Sequence, residues 1–539
     1  MQKGEQAFWL VLAVITGLAT TARAEEVQHL TVAQPGGFPG RPILTGITKT
    51  TNGVNITWDG PSGYYQLYQA TNLTSPTWKT SGTPNLNRHL TLTNISGNAF
   101  FKVSGPSAQY AGSQACAECH EGVHNIELTT RHTQALQILK SVGQGTNAAC
   151  LPCHTVGFGL PTGFKTELTT PHLAGVQCES CHGPAAAHAA NEMDLTKRPR
   201  KEIAGQVCGG CHNTEQNPTF EQWKSSGHFT VVEDMNPTGR INSCGRCHSG
   251  TARLAMVKGV PASVISTTLT NDANVGITCV VCHDPHQTYV WTNVLTRVVE
   301  TNQLRYPVAS TNYFSLSTSA TFSNRTDINV CAQCHNDRGA AWTSNSRPPH
   351  HSPQYNLMMG TVGIRANGSN ATTNANPASH GLFIEKQCVG CHMPTEATAS
   401  GAHPGVAGHS FQVTSFESCR VCHGDLAEDL VEFTKDFVIE PRIQQLKASL
   451  DLWGTTKSPL VLRTNYGAMA WEYTTPGELS SGTNAPPDAL QAQIPSLIKQ
   501  ARFNLYIVNN DGSFGVHNPL YAIELLDAAL GWVQSQLTP

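Results

Sequence analysis

The residues whose type and spacing most clearly indicate a particular chemistry are the 18 cysteines, all of which lie in Cys-x-x-Cys-His motifs. The nine copies are Cys116/Cys119/His120, Cys150/Cys153/His154, Cys178/Cys181/His182, Cys208/Cys211/His212, Cys244/Cys247/His248, Cys279/Cys282/His283, Cys331/Cys334/His335, Cys388/Cys391/His392 and Cys419/Cys422/His423. The two thiols of such a motif can add to the two vinyl groups at one edge of a haem, and the adjacent histidine can then ligate the iron. The spacing predicts nine covalently bound haems c.

Zinc binding and a disulfide framework explain this pattern less well. A structural zinc site would use two cysteine pairs per metal ion and gives no reason for a histidine after every pair. A disulfide framework explains neither the fixed spacing nor the histidine. Both alternatives are therefore excluded by the nine-fold repetition of the motif.

Histidines outside the motifs are the candidates for the second axial position of each iron. An iron with both axial positions filled carries electrons, whereas an open iron can bind and transform a small molecule. His350 and His351 are adjacent, so we expect one of the two to be a ligand. The candidates are His124, His132, His172, His188, His228, His286, His350, His351, His380, His403, His409 and, near the end of the chain, His517.

Few residues separate successive motifs, so little polypeptide is available to form the helices and loops that position these side chains. Successive motifs begin 28–57 residues apart, and the intervening chain is rich in glycine, proline and short polar stretches. We therefore expect residues 109–424 to form a nonahaem region with short helices, little regular structure and neighbouring haems nearly in contact.

The segments on either side of this region are of different kinds, so the predicted fold class is multidomain. Residues 25–108 contain no cysteine and alternate between apolar and polar positions at 54–58, 64–69, 89–93 and 100–103, which predicts a small β-sandwich. Its role could be docking to a partner or cell surface, or simply packing as a spacer.

Residues 425–539 are predicted to form a helical C-terminal region. One helix is expected to open at Pro441, bury a stripe of apolar residues and end at Gly454. A last helix is expected to start at Pro519. The predicted buried faces are Ile443, Leu446, Leu450 and Trp453 in the first helix, and Leu520, Ile523, Leu530 and Val533 in the second.

The first 24 residues resemble an export signal. Lys3 precedes an apolar run at 7–19, and Ala22-Arg23-Ala24 gives small residues at the positions that a signal peptidase reads. We expect a mature chain that begins near Glu25, has no membrane-spanning segment, and is periplasmic or extracellular. The net charge of −3 gives no indication of nucleic-acid binding.

Several motifs are similar to those of a known family. They are the run 110–120 (YAGSQACAECH), Trp-x-x-Ser-x-His ending at His228, Cys-His-Gly-Pro at His182, Cys-His-Asp-Pro-His ending at His286, His-His-Ser-Pro-Gln at His351, Cys-His-Met-Pro at His392 and Gly-Val-His-Asn-Pro around His517. Over residues 110–537 the chain resembles the multihaem cytochromes related to the tetrahaem nitrification cytochrome, the pentahaem nitrite reductases and the octahaem hydroxylamine-oxidising enzymes.

This resemblance implies a mainly helical and loop fold with haems in stacked and perpendicular pairs, most of them ligated by two histidines. The nitrite reductases typically hold their active haem through a lysine in Cys-x-x-Cys-Lys, and this sequence has no such motif. Catalytic residues therefore cannot be carried over from the family.

The function that these observations favour is electron transfer along closely packed haems, with redox partner proteins or extracellular electron acceptors as partners. One alternative is a reductase or oxidase of a small nitrogen or sulfur compound at one open haem. Another is a protomer of an extracellular cytochrome filament, or another homo-oligomer, in which a neighbouring chain would donate a distal histidine.

Overall fold

The computed structural model describes residues 43–538 with internal gaps, and the predicted signal peptide lies outside the described residues. The gaps are 51–52, 61–63, 73, 94–98, 106–107, 161, 214–216, 232–239, 262–275, 293–298, 306–329, 370–375, 377, 385–387 and 398–403. The chain forms two compact units. The first comprises Met1–Lys224 and Asn274–Gln303, and the second comprises Ser225–Ala273 and Leu304–Pro539.

Two small antiparallel sheets form the N-terminal part of the first unit, in the orders β1-β2-β5 and β4-β3-β6. Their strands are β1 Ile43–Thr50, β2 Gly53–Asp59, β3 Tyr65–Ala70, β4 Lys79–Asn85, β5 His89–Thr93 and β6 Phe100–Ser104. In β2, Val54, Ile56 and Trp58 are buried on alternate positions and pack with Leu67 and Phe101 of the other sheet. The four strands predicted from the alternation are thus confirmed.

Short helices dominate the middle of the chain, as expected. They are α1 Ser113–Glu127, α2 Ala135–Ser141, α3 Leu151–His154, α4 Cys178–His182, α5 Ala186–Ala189, α6 Gln206–Gly209, α7 Thr219–Lys224, α8 Gly227–Thr230, α9 Ile241–His248, α10 Gly250–Val257, α11 Cys279–Cys282, α12 Gln354–Met358, α13 Ser379–Phe383, α14 Cys388–His392 and α15 Glu417–His423. Two strand pairs, β7 Tyr289–Thr292 with β8 Val299–Asn302 and β9 Glu396–Ala397 with β10 Pro404–Val406, complete this region.

Most motifs lie in one of these helical turns, because helical residues three positions apart share a face and the two thiols must point the same way. Two of the helices, α4 and α15, end at a glycine directly after the motif histidine. Gly183 and Gly424 have φ angles of 82° and 60°, which glycine adopts without strain and which stop the helix there.

The C-terminal region of the second unit is helical and contains its largest apolar core. Its elements are a 3-10 turn Gly424–Leu426, α16 Ala427–Glu432, a π-helix Phe433–Ile439, α17 Glu440–Thr456, α18 Leu460–Tyr466, a 3-10 helix Gly467–Trp471, α19 Asp488–Gln491, α20 Ser496–Asp511 and α21 Pro519–Leu537. The predicted buried stripe of α17 is confirmed. None of the described helices combines the length and hydrophobicity that crossing a membrane requires.

Two details of the predicted helices are wrong. Gly454 does not end α17, which continues to Thr456; a Cβ at Gly454 would lie 2.7 Å from the carbonyl oxygen of Gly467, so the glycine permits close packing. Leu520 is 79% exposed, because the buried face of α21 passes through Tyr521 and Leu525 instead. The prediction that this helix starts at Pro519 and buries Val533 is confirmed.

The core of α17 gives a test of the fold. Leu446 is fully buried, whereas Leu452 on the same helix is 51% exposed. We expect Leu446→Ala to lower the free energy of unfolding by about 2–5 kcal/mol because it leaves a cavity. The control Leu452→Ala should change it by less than about 0.5 kcal/mol. Denaturant titration followed by far-ultraviolet circular dichroism measures both, and equal effects would contradict the described burial.

Candidate haem-binding sites

Among the described residues, six motif histidines each face a histidine from outside the motifs, with ring centroids 5.8–6.1 Å apart. A metal–imidazole bond is about 2 Å long, so two imidazoles on opposite sides of one metal ion have centroids roughly 6 Å apart. The pairs are His212 with His132, His182 with His286, His335 with His228, His248 with His350, His423 with His380, and His392 with His517.

Two imidazoles supply only two of the ligands that an iron ion requires. No group of three or more His, Cys, Asp or Glu side chains in the described part of the chain is arranged to hold a metal ion. The remaining positions fit the four nitrogens of a porphyrin, which the adjacent motif cysteines could attach to the chain. The chemistry of the donor set therefore fits haem c.

Burial keeps several paired histidines neutral, which is the form that binds a metal. Burial lowers the pKa of His228 to about 4, and the neighbouring His335 contributes in the same direction. Burial likewise lowers the pKa of His350 to about 4, with smaller contributions from Arg338 and His248. At neutral pH these rings keep a nitrogen lone pair available.

Backbone carbonyl groups orient several of these rings. The Nδ1 of His182 donates a hydrogen bond to the carbonyl oxygen of Arg200, and that of His392 donates to Phe411 at 3.1 Å. His380 donates to the carbonyl oxygen of Val516 at 2.9 Å. A hydrogen bond from Nδ1 fixes the ring and leaves Nε2 for the metal.

The adjacent histidines His350 and His351 have different environments. The ring of His350 lies 5.9 Å from His248, and its Nδ1 is 3.2 Å from the hydroxyl oxygen of Ser352. The side chain of His351 is 52% exposed, and its Nε2 lies 3.6 Å from a carboxylate oxygen of Glu478. Of the two, the structure brings His350 to a motif histidine.

His517 lies in the loop between α20 and α21, opposite His392. Its Nδ1 donates a 2.7 Å hydrogen bond to Asp511, whose side chain is fully buried. Burial alone would lower the pKa of His517, but the charge of Asp511 and this hydrogen bond outweigh burial and raise that pKa.

The end of α20 also holds the chain near His350, because the side-chain amide of Asn510 donates to the carbonyl oxygen of Pro349 at 2.7 Å.

Three motif histidines, His120, His154 and His283, are absent from these six pairs. For His120 and His154, no second histidine ring lies at the pairing distance within the described residues. The Nδ1 of His154 still donates to the carbonyl oxygen of Ala135 at 2.9 Å. The described candidate distal histidines outside the pairs are His124, His172, His188, His351 and His409, and His403 lies outside the described residues.

The predicted attachment cysteines do not all have the same environment. Cys119 and Cys422 are exposed, whereas the other 16 motif cysteines are partly buried. Cys119 and Cys422 are the second cysteines of the first and last motifs, which have a neighbouring motif on only one side in the sequence. The chain leaves their sulfur atoms at the surface, so a haem edge attached there would be open to solvent.

Within the described residues, cysteine side chains of different motifs lie close enough to interact in four cases. The four contacts are Cys116 with Cys178, Cys153 with Cys211, Cys208 with Cys279, and Cys247 with Cys334. Each joins motifs that are not consecutive in the sequence. The attachment edges of the motifs are therefore adjacent in an order that differs from the order along the chain.

Glu179, between the cysteines of the third motif, is a structural residue that the sequence analysis missed. Its buried carboxylate accepts hydrogen bonds from the backbone N–H groups of Ala111, Gly112 and Ala185 at 2.7–3.0 Å. It thereby ties the start of the first motif helix to the third motif. Asp511 was missed as well, since nothing in the local sequence indicates that its side chain turns toward His517.

Comparison with known proteins agrees with this chemistry. The family of cytochrome c554 and c-prime matches residues 115–183 and 330–424. Cytochrome c-554 of Nitrosomonas europaea is 30% identical over 151 residues, which cover 22% of this chain and 63% of that protein. The C-type polyheme cytochrome OmcB of Geobacter sulfurreducens is 25% identical over 305 residues, covering 52% of this chain and 36% of that protein. The chain thus spans less than two thirds of the length of either relative.

Among solved structures, the outer cell wall cytochrome OcwA aligns with a TM-score of 0.48 and 19% sequence identity, covering 79% of this chain and 100% of that chain. The two segments that match the cytochrome c554 family include the first three and the last three Cys-x-x-Cys-His motifs. Together with the paired imidazoles, the match to the cytochrome c554 family supports covalently bound haem c as the cofactor. Over these segments the chain is similar to the multihaem c-type cytochromes.

Proposed function

We propose that this chain is an exported nonahaem cytochrome that transfers electrons along closely packed haems, most of them ligated by two histidines. The observation that carries the proposal is the set of six imidazole pairs at 5.8–6.1 Å. Haem c bound at these positions supplies one-electron chemistry at its iron. The cysteines of the chain would attach it, and the paired histidines would hold the iron from both sides and exclude small molecules from the metal.

In this proposal the 18 motif cysteines form the thioether bonds and the nine motif histidines are proximal ligands. The distal ligands of six sites are His132, His286, His228, His350, His380 and His517. Those of the other three sites are drawn from His124, His172, His188, His403 and His409, with His351 as the least suitable candidate because it faces Glu478.

The sulfur contacts between motifs support close spacing of the cofactors. A thioether sulfur would lie at the edge of its own haem, so the proximity of Cys247 and Cys334 would bring two haem edges together. In the same region the Sγ of Cys334 lies 3.8 Å from the carbonyl oxygen of Arg246, inside the fifth motif. Electrons could then move between neighbouring sites without crossing a layer of polypeptide.

The proposed location and partners rest on the sequence. A signal peptide at 1–24 would deliver the chain to the periplasm or the cell exterior, where the haems would exchange electrons with redox proteins or extracellular acceptors. The exposed attachment positions Cys119 and Cys422 are two places where such an exchange could occur. The boundaries at 108/109 and 424/425, and assembly into a homo-oligomer or filament, stay predictions.

A second candidate function is reduction or oxidation of a small nitrogen or sulfur compound at one open haem. It is favoured by His120 and His154, which face no second imidazole at the pairing distance within the described chain. An iron held on one side only would leave a position for such a compound.

The number of haems follows from nine complete motifs with no spare thiol. Protein matured with the c-type attachment machinery should have an intact mass that corresponds to nine haems and should show no free cysteine on alkylation, including at the exposed Cys119 and Cys422. A fully matured sample with eight or fewer haems would mean that one motif is unused.

The two adjacent histidines provide a matched test of distal ligation. His350→Ala should convert one low-spin haem to a high-spin haem that binds carbon monoxide, because removal of an imidazole opens the iron while the thioether bonds remain. The control His351→Ala should leave every haem low-spin. Electron paramagnetic resonance and carbon monoxide difference spectra measure both; a high-spin haem in the His351 variant alone would reverse the assignment.

The unmodified protein distinguishes the carrier from the enzyme. A carrier should bind no carbon monoxide when reduced, show no high-spin ferric signal, and reduce nitrite or hydroxylamine no faster than free haem peptides do. Stoichiometric binding of carbon monoxide, together with rapid turnover of one nitrogen compound, would favour the reductase.

A further inference from the structure

Asp511 differs in kind from the groups that orient the other rings described above. The rings of His182, His380 and His392 donate to neutral carbonyl oxygens. His517 instead donates its Nδ1 proton to a carboxylate, at 2.7 Å. A carboxylate acceptor makes an imidazole a stronger electron donor to a metal than a carbonyl acceptor does.

The position of Asp511 is fixed by the end of α20. Gly512 follows it in the left-handed conformation, with φ 74°, and reverses the chain. Ser513 then donates to the second carboxylate oxygen through its backbone N–H, at 3.2 Å, and through its hydroxyl group. Both carboxylate oxygens are thus engaged, and the side chain is fully buried.

Burial increases the electrostatic effect of this charge. A negative charge shielded from water stabilises the oxidised, more positive form of a nearby iron over the reduced form. The hydrogen bond to Nδ1 acts in the same direction, because it increases the basicity of the ring. On the other side of the same site, His392 donates to the neutral carbonyl oxygen of Phe411, so the asymmetry comes from His517.

We propose that Asp511 is a positioning and tuning residue that lowers the reduction potential of the haem attached at Cys388 and Cys391, acting through the Nδ1 of His517. The proposal rests on the proposed function, since it takes His517 as the distal ligand of that haem. This haem of the second unit would then have a lower reduction potential than it would have if His517 donated to a neutral acceptor.

The test uses the full-length, matured holoprotein and compares three variants. Asp511→Asn keeps an oxygen that can accept the Nδ1 proton but removes the charge, so one midpoint potential should move upward while all haems stay low-spin. Ser513→Ala removes the hydroxyl that donates to the carboxylate and that accepts from the backbone N–H of His517. Loss of the donor makes the carboxylate a stronger acceptor, so the same midpoint should move downward while the haem stays low-spin. Asp527→Asn is the control, because Asp527 lies farther along α21, is 54% exposed and pairs with Arg442. This variant should leave every midpoint potential unchanged.

Spectroelectrochemical titration measures the midpoints, and electron paramagnetic resonance of the oxidised protein reports the spin state. His517→Ala, measured in parallel, should turn one haem high-spin and thereby identifies the component that must move in the other variants. If His517→Ala leaves every haem low-spin, the ligand assignment of the proposed function fails.

Three results would overturn the role of Asp511 without contradicting the proposed function. The first is an Asp511→Asn protein whose potentials are all unchanged while its haems stay low-spin. The second is a high-spin haem in Asp511→Asn, which would show that the carboxylate only holds His517 in place. The third is a shift of the same sign in Asp511→Asn and Ser513→Ala.

Discussion

Two imidazoles that share one metal ion must stand about 6 Å apart with the metal between them, and six histidine pairs in the described part of this chain have that spacing. The paired histidines are often distant in sequence, as His182 and His286 are, and the helices that carry the motifs are commonly only four or five residues long. Helices of this length are not stable in isolation. In the proposed holoprotein, ligand bonds and the apolar faces of the haems would stabilise these short elements.

The helical core at the C-terminus has a complementary role, because it gives the loops of the second unit a rigid support. The loop between α20 and α21 serves two sites: the carbonyl oxygen of Val516 orients His380, and His517 faces His392. Asn518 fixes this loop by donating to the carbonyl oxygens of Leu357 and Asn376. A conventional core thus positions ligands that a loop alone would hold poorly.

The sequence predicted what depends on local pattern and missed what depends on long-range contact. The strands around Val54–Trp58 alternate strictly, and the stripe that includes Leu446 repeats with helical periodicity, so both elements were recognisable. The motif positions were equally plain. The partner of each motif histidine could not be predicted from the sequence. A pair such as His248 with His350 depends on the fold and has no local sequence signal. Leu520 was misplaced because a helix with apolar residues on several sides does not reveal which side is buried.

The N-terminal sheets are connected to the haem chemistry more directly than a spacer would be. The guanidinium group of Arg200 is largely buried and forms a 2.7 Å ion pair with Asp59 at the end of β2, and burial lowers the pKa of this arginine. A buried guanidinium group requires a compensating charge, which Asp59 supplies together with Glu202. The carbonyl oxygen of the same arginine accepts the Nδ1 proton of His182. An ion pair from the sheet therefore holds the segment that orients the candidate ligand His182, so the sheets contribute to the geometry of the third motif.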